Sequence, residues 1–318
     1  MNLFKKLLMF HPGRFIVFGL FALGVSSCSL NRIALRMSAD AMSAVGPSTV
    51  FTGDDDPQLV GDSLPLLIKM YETLQEQLPD HEGLNLQTGS LTIMYANAFV
   101  QTPAEVLPPD QGERKRQQLE RAKKLYLRGE KFLMHELELK FPGIQSALAA
   151  DSAGPLLAKA KKADVPFLYW ESVAILAAFS LSPLDIGLSV RVKEAKVLMA
   201  RAYTLDPNFG GGSLDELYIS FYGALPASLG GDRALAKKHF EEALKKGKGK
   251  NCGPYVAYAT AVSIPNQDYP EFKTLIDAAL AINVEDSPPN RLVNILAQRK
   301  AAWLLAHRED LFLDVPAN

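Results

Sequence analysis

From Val60 onward the apolar positions recur every three or four residues rather than every second one, the pattern of amphipathic helices. Leu64, Leu67, Ile68, Tyr71, Leu74 and Leu78 make the first stripe, and Pro79 and Gly83 interrupt it. Leu91, Met94, Tyr95, Ala98 and Phe99 make the second. "TPAEVLPPDQ", residues 102–111, predicts a proline-rich loop. A long amphipathic helix is expected from about Gly112 to Leu139, stopped by Pro142 and Gly143. Alternation of β-branched residues never runs beyond a few positions, so no strand is expected. The Asp54-Asp55-Asp56 run before Pro57 reads as the start of a helix, where acids complement the dipole, rather than as a cation site.

The stripes also repeat. A small residue, a large apolar one four later and a small one three after that let two helices approach closely while the large residue fills a groove. Four segments carry this spacing: Ala122–Tyr126–Gly129, Ala195–Met199–Ala202, Ala236–Phe240–Ala243 and, more loosely, Phe272–Ile276–Ala279. Their offsets are 73, 41 and 36 residues, and only the last approaches the regular 34 of a tetratricopeptide (TPR) array. The long first interval leaves room for an insertion around Ile144 to Lys162. The expected architecture is all-α, with TPR-like helical hairpins stacked into a short α-solenoid. The glycine pair of "ALPASLGGDRALAKKHFEEAL" (Ala224–Leu244) then falls in the corner of a hairpin, with Asp232 capping the second helix. A phosphate-binding loop would need a preceding strand, whereas "LDELYISFYGAL" before it has helical spacing.

Charge changes the picture at the N-terminus. Lys5, Lys6 and Arg14 precede an apolar run of eleven residues, "FIVFGLFALGV", and no acid precedes Asp40. The run is too short to span a bilayer but suits a signal-peptide core. It leads into Val25-Ser26-Ser27-Cys28, which resembles the lipobox of bacterial lipoproteins. That resemblance implies cleavage before Cys28 and acylation of its thiol and new amine, hence an anchor in a membrane. The expected organisation is a signal peptide at 1–27, a lipidated tether at 28–59 and a helical repeat domain at 60–318. With Lys5, Lys6 and Arg14 removed, 31 of the 34 basic residues remain against 35 acidic ones, a formal charge of −4. No basic surplus points to nucleic acid. Ser29 after the cysteine resembles the sorting pattern that favours the outer over the inner membrane.

Catalytic chemistry is hard to find. His11, His81, His135, His239 and His307 are scattered without metal-ligand spacing, and His239 reads as a partly exposed helix residue. "GLSVR" (Gly187–Arg191) lacks the second glycine and leading strand of a nucleophile elbow. Cys252 has no partner left for a disulfide if Cys28 is lipidated, and reads as a semi-buried loop residue. A non-enzymatic protein without cofactor or metal is expected. The aromatic residues are more informative. Tyr169 and Trp170 open one helix, Tyr218, Phe221 and Tyr222 line another, and Tyr255 and Tyr258 a third. Each is the first helix of a hairpin, the position that lines the concave face of such a stack. They are the candidate ligand or partner surface, with packing in the core as the alternative for each.

Four segments resemble a known family in order: "SLPLLIKMYETLQEQLPDHEGL" (Ser63–Leu84), "RAKKLYLRGEKFLMHELE" (Arg121–Glu138), "GGSLDELYISFYGALPASLGGDRALAKKHFEEAL" (Gly211–Leu244) and "RLVNILAQRKAAWLLAHREDLF" (Arg291–Phe312). With the lipobox they resemble the TPR lipoproteins of tripartite ATP-independent periplasmic (TRAP) transporters, the T component. The resemblance implies a homotrimer on the periplasmic side of the bacterial envelope. It implies as partner the periplasmic substrate-binding protein of a TRAP transporter for organic acids or other hydrophobic anions. A general envelope scaffold without a small-molecule ligand is the competing expectation.

Overall fold

The computed structural model describes residues 32–43 and 49–315. The chain divides at Val45/Gly46 into two units. In the first, residues 32–43 are helical. The signal segment and Cys28 lie outside the described residues.

The second unit is all-α, with no strand among the described residues. After a turn of helix at Thr49–Thr52, α1 spans Pro57–Gln77. Asp56 caps it by accepting from the amides of Gln58 and Leu59 at 3.0 and 3.1 Å, so the aspartate run begins a helix as expected. α2 (Glu82–Tyr95) is capped by His81, whose Nδ1 accepts from the Leu84 amide.

The expected loop at 102–111 needs correction. α2 widens into a π turn at Ala96–Gln101 and resumes as Thr102–Glu105, with Pro103 inside. The wider turn restarts the α pattern at Thr102, which places Pro103 in a first turn, where its missing N–H costs nothing. Periodicity does not reveal such a turn.

α3 (Gly112–Lys140) ends before Pro142 and Gly143. Short helices at Ile144–Ala149 and Gly154–Leu157 fill the long repeat interval. Then come α4 (Val165–Leu181), α5 (Ile186–Leu205), α6 (Ser213–Ala224) and α7 (Arg233–Lys246). α8 is Gly253–Tyr258, prolonged by a π turn at Ala259–Ser263. α9 (Tyr269–Ala281) and α10 (Arg291–Ala306) complete the unit. Asp232 caps α7 through the amides of Ala234 and Leu235. In the corner before it, a Cβ on Gly231 would fall onto the Leu225 carbonyl, so the glycine serves the turn.

Consecutive helices pack as hairpins, α2 on α3, α4 on α5, α6 on α7 and α8 on α9. α4 is also covered by α3, which explains why it is apolar all round. The small–large–small positions lie at these contacts. Ala122, Tyr126, Ala195, Met199, Ala202, Phe272, Ile276 and Ala279 are fully buried, and Phe240 is half-buried. Gly129 and Gly89 let α3 and α2 touch, since a Cβ on Gly129 would stand 2.7 Å from the Gly89 carbonyl oxygen.

Two cores result. One runs from Ile93 to Phe221, the other from Ile219 to Phe312, and α6 feeds both. α10 also returns to the start of the unit. Arg291 donates to the Gly53 carbonyl at 3.2 Å, and Lys300 pairs with Glu105 at 3.0 Å.

Candidate functional site

The seven aromatic candidates fall into three groups. At the start of α4, Tyr169 and Trp170 are half-buried and meet edge-on at 5.1 Å, and Phe209 lies 5.1 Å from Tyr169 on another side. On α6, Tyr218 and Phe221 are buried and Tyr222 is half-buried, with Tyr218 and Tyr222 stacked at 5.4 Å. On α8, Tyr258 is buried and Tyr255 half-buried, both against Phe240. The first two groups adjoin one core and the third the other, with Tyr222 packed against both. Tyr169, Trp170, Tyr222 and Tyr255 therefore keep surface that a ligand or partner can reach, whereas Tyr218, Phe221 and Tyr258 pack inward.

The polar groups among these rings were not singled out in the sequence. Asp215 on α6 is fully buried and saturated with donors. Lys246 donates to its Oδ2 at 2.6 Å, Tyr203 to its Oδ1 at 3.1 Å, and the His239 ring nitrogen Nδ1 lies 2.8 Å from Oδ1. Lys246 also donates to the Pro207 carbonyl and sits 4.6 Å from the centre of the Tyr203 ring. His239 stacks on Tyr218 at 4.4 Å. Burial by itself would raise the Asp215 pKa, but the bonds from His239 and Lys246 outweigh it and hold the carboxyl below its ordinary value. Lys246 is lowered by burial and raised more strongly by Asp215 and Tyr203, so it stays charged. His239 is partly exposed on its helix, as expected, but it is engaged rather than free. Its side chain is 12% exposed, and α6 brings Asp215 to it. The available signal was that His239 and Lys246 lie seven residues apart, on one face of α7.

Glu216, the next residue, has the opposite environment. It pairs with no Lys, Arg or His among the described residues, and burial pushes its carboxyl up to about 7. It rests against the start of α8, where a Cβ on Gly253 would stand 2.5 Å from both carboxylate oxygens. Its charge helps push up the Tyr169 phenol and the Cys252 thiol, each already raised by burial, the thiol to about 11. Glu216 and Tyr169 are each half-buried and keep solvent-accessible surface. Cys252 itself is buried rather than semi-buried, its amide donating to Asn294 and its thiol to the Ala279 carbonyl.

A third cluster joins α3, α4 and α5. Arg191 bonds Glu130 at 2.7 Å and Glu194 at 3.0 Å, leaving Glu171 at 3.6 Å, fully buried and without a hydrogen-bond partner on either oxygen. Burial, reinforced by the Glu130 charge and opposed by Arg191, raises Glu171 well above the usual carboxylate range. Its sequence signal was an acid in the otherwise apolar "VPFLYWESVAILAAFSL".

An open groove of about 350 Å³ lies between the start of α3 and the end of α4, lined by Gly112, Lys115, Arg116, Leu119, Glu120 and Leu181. Leu181 is twelve residues along α4 from Tyr169, about 18 Å of helix, so this groove is separate from the Tyr169 and Trp170 rings. No group of three potential metal ligands occurs among the described residues.

Two similarities accompany this geometry. A family model described as TRAP transporter T-component matches residues 53–312. An uncharacterized protein of Treponema pallidum (strain Nichols) is 38% identical over 304 residues, which cover 91% of this chain and 94% of that protein.

Proposed function

This chain belongs to the TRAP transporter T-component family, and on that premise we propose that it is a lipid-anchored helper of solute uptake. Family membership ties it to a TRAP transporter and to the bacterial envelope. In the proposed reading Cys28 is the lipidated residue, residues 28–59 are the tether, and the helical unit stands on the periplasmic side, anchored in the outer membrane. Its hairpins act as a TPR-like stack, assembled as a homotrimer, that binds the periplasmic substrate-binding protein. Together they pass on a small organic acid or other largely apolar solute.

The observation that carries the ligand part is the half-buried pair of rings, Tyr169 and Trp170, at the start of α4. Solvent-reachable aromatic rings of this kind are a usual part of the lining of a small-molecule site.

The test mixes lipid-free protein from Leu30 onward with the cognate substrate-binding protein, and reads stoichiometry by sedimentation and affinity by calorimetry. A defined complex built on a trimer is expected. Absence of any complex, with and without candidate organic acids, would replace this reading with the envelope scaffold. Membrane fractionation of Cys28→Ala tests the anchor, with release of the protein expected.

A further inference from the structure

Exposed apolar residues taken singly are ordinary, but the corner between α4 and α5 presents three together. Leu184 is 94% exposed, Ile186 80% and Val190 55%. Ile186 and Val190 stand four residues apart on one face of α5, and Lys193, also exposed, continues that face. The corner is firmly built. Asp185 caps α5 by accepting from the Leu188 amide at 3.2 Å, and Lys123 of α3 donates to the Ser182 hydroxyl at 3.2 Å. A fixed turn therefore holds these apolar groups out in water. Beside it lies the groove of about 350 Å³, whose lining includes Leu181, the residue before Ser182. Its walls are of two kinds, apolar at Leu119 and Leu181 and cationic at Lys115 and Arg116. Lys115 donates to the Glu105 carbonyl at 2.9 Å and Arg116 pairs with Glu113, which leaves each with N–H groups to spare. Glu120, the acid of the lining, is paired with Lys123 at 2.8 Å. Residues 113–124 carry six basic side chains against two acidic ones, in a chain whose formal charge is −1. α3 and α5 both begin at this end, and the positive ends of their dipoles add to its charge.

We infer that this end of the second unit rests on an anionic phospholipid bilayer, with Leu184 and Ile186 entering the interface and a lipid phosphate taken in the groove by Lys115 and Arg116. The lipid's glycerol and upper acyl chain then lie on Leu119 and Leu181. An interfacial contact combines these two elements, burial of apolar side chains and attraction of cations to the charged surface. An acidic protein partner would answer the cations and leave the leucine and isoleucine in water. An apolar partner face would cover those two and leave the cations unanswered. The inference goes beyond the proposed transport role and concerns the folded unit rather than the anchor at Cys28.

The test places the full chain on vesicles of phosphatidylcholine, alone or with one-third phosphatidylglycerol, and follows peptide-resolved hydrogen exchange. Attachment through an anchor is common to both vesicle types, so their difference reads the folded unit. Residues 112–119 and 182–190 are expected to exchange at least about fivefold more slowly on the anionic vesicles, and high salt should shrink that difference. Leu184→Ser combined with Ile186→Ser is expected to abolish protection of the corner. Lys115→Gln combined with Arg116→Gln is expected to remove the advantage of anionic over neutral vesicles. All four side chains lie outside both cores, and exchange across α6 to α9 in the same samples reads whether each variant is folded. The wild-type comparison decides the matter without either variant. Equal exchange on the two vesicle types, or undiminished protection in the serine variant, would overturn the inference. Protection of the corner without vesicles would assign it to a second copy of the chain, and protection that needs the substrate-binding protein would assign it to that partner. Protection of residues 112–119 by inorganic phosphate alone would reduce the groove to an anion site. Each of these three results overturns the membrane contact.

Discussion

Asp215 and Glu216 are consecutive residues with the same charge on the same helix, yet they occupy opposite environments. One residue along an α-helix turns the side chain by about 100°, so Asp215 faces α5 and α7 while Glu216 faces α4 and α8. On the first side the helices bring a lysine, a histidine and a tyrosine to the carboxylate, and its charge becomes part of the framework. On the second they bring rings, a thiol and a glycine, and the charge has no ion-pair partner among the described residues. How a carboxylate is held therefore depends on what the neighbouring helices present to it, and residue type does not decide.

The largest effect should come from breaking the satisfied side. Asp215→Ala strands His239 and Lys246, and breaking a buried pair in this way costs about 3–5 kcal/mol. Urea denaturation should show that loss at neutral pH, and a change below about 1 kcal/mol would make the cluster ornamental. The pH dependence has a definite sign. The folded-state value of Asp215 lies below its ordinary 3.8, so its stabilisation is complete above that pH and disappears as pH falls through the folded value. Acid unfolding of the wild type should therefore lose a component that Asp215→Asn lacks.

The unsatisfied side should respond in reverse. Glu216 is raised from 4.5 to about 7, so the folded state holds its proton more tightly and ionisation increasingly costs stability as pH rises through that interval. Glu216→Gln should accordingly be more stable than wild type by about 3 kcal/mol at pH 8 and no more stable at pH 4. Equal stability at both pH values would show that the carboxylate is well solvated. Trp170→Ala should cost less, about 1–2 kcal/mol for a half-buried ring, leave helicity intact by circular dichroism, and weaken solute or partner binding. Gly253→Ala should change stability by within about 1 kcal/mol, because the nearest atoms its Cβ would meet are the movable end of Glu216. It should nevertheless reduce the pH-dependent difference between wild type and Glu216→Gln.

Much of the framework was legible without coordinates. The caps at Asp56 and Asp232, the end of α3 before Pro142, and the corner before α7 are local matters, set by side chain–backbone bonds and turn preferences within a few residues. The small–large–small triplets were legible for a related reason, since close approach of two helices demands them, and Gly129 against Gly89 shows how tightly. The helix through Pro103 was not, because a π turn leaves no clear mark in periodicity. The site was legible only in part. Tyr169, Trp170, Tyr222 and Tyr255 were identified with surface still open, while Tyr218, Phe221 and Tyr258 turned inward, since helical spacing cannot distinguish a face toward a crevice from one toward a core.

The sequence by itself determined the all-helical class, the order of the hairpins, most of their boundaries and the family, because these rest on spacing and short motifs. Only the tertiary structure decided which carboxylates are paired. Asp215 meets His239 and Lys246 across 24 and 31 residues of chain, and Glu171 is left out of an arginine's bonds by Glu130, 41 residues before it. Those distances are spanned by the packing of helices, and the free energy of a buried charge depends on the few ångströms around it, which no local pattern encodes.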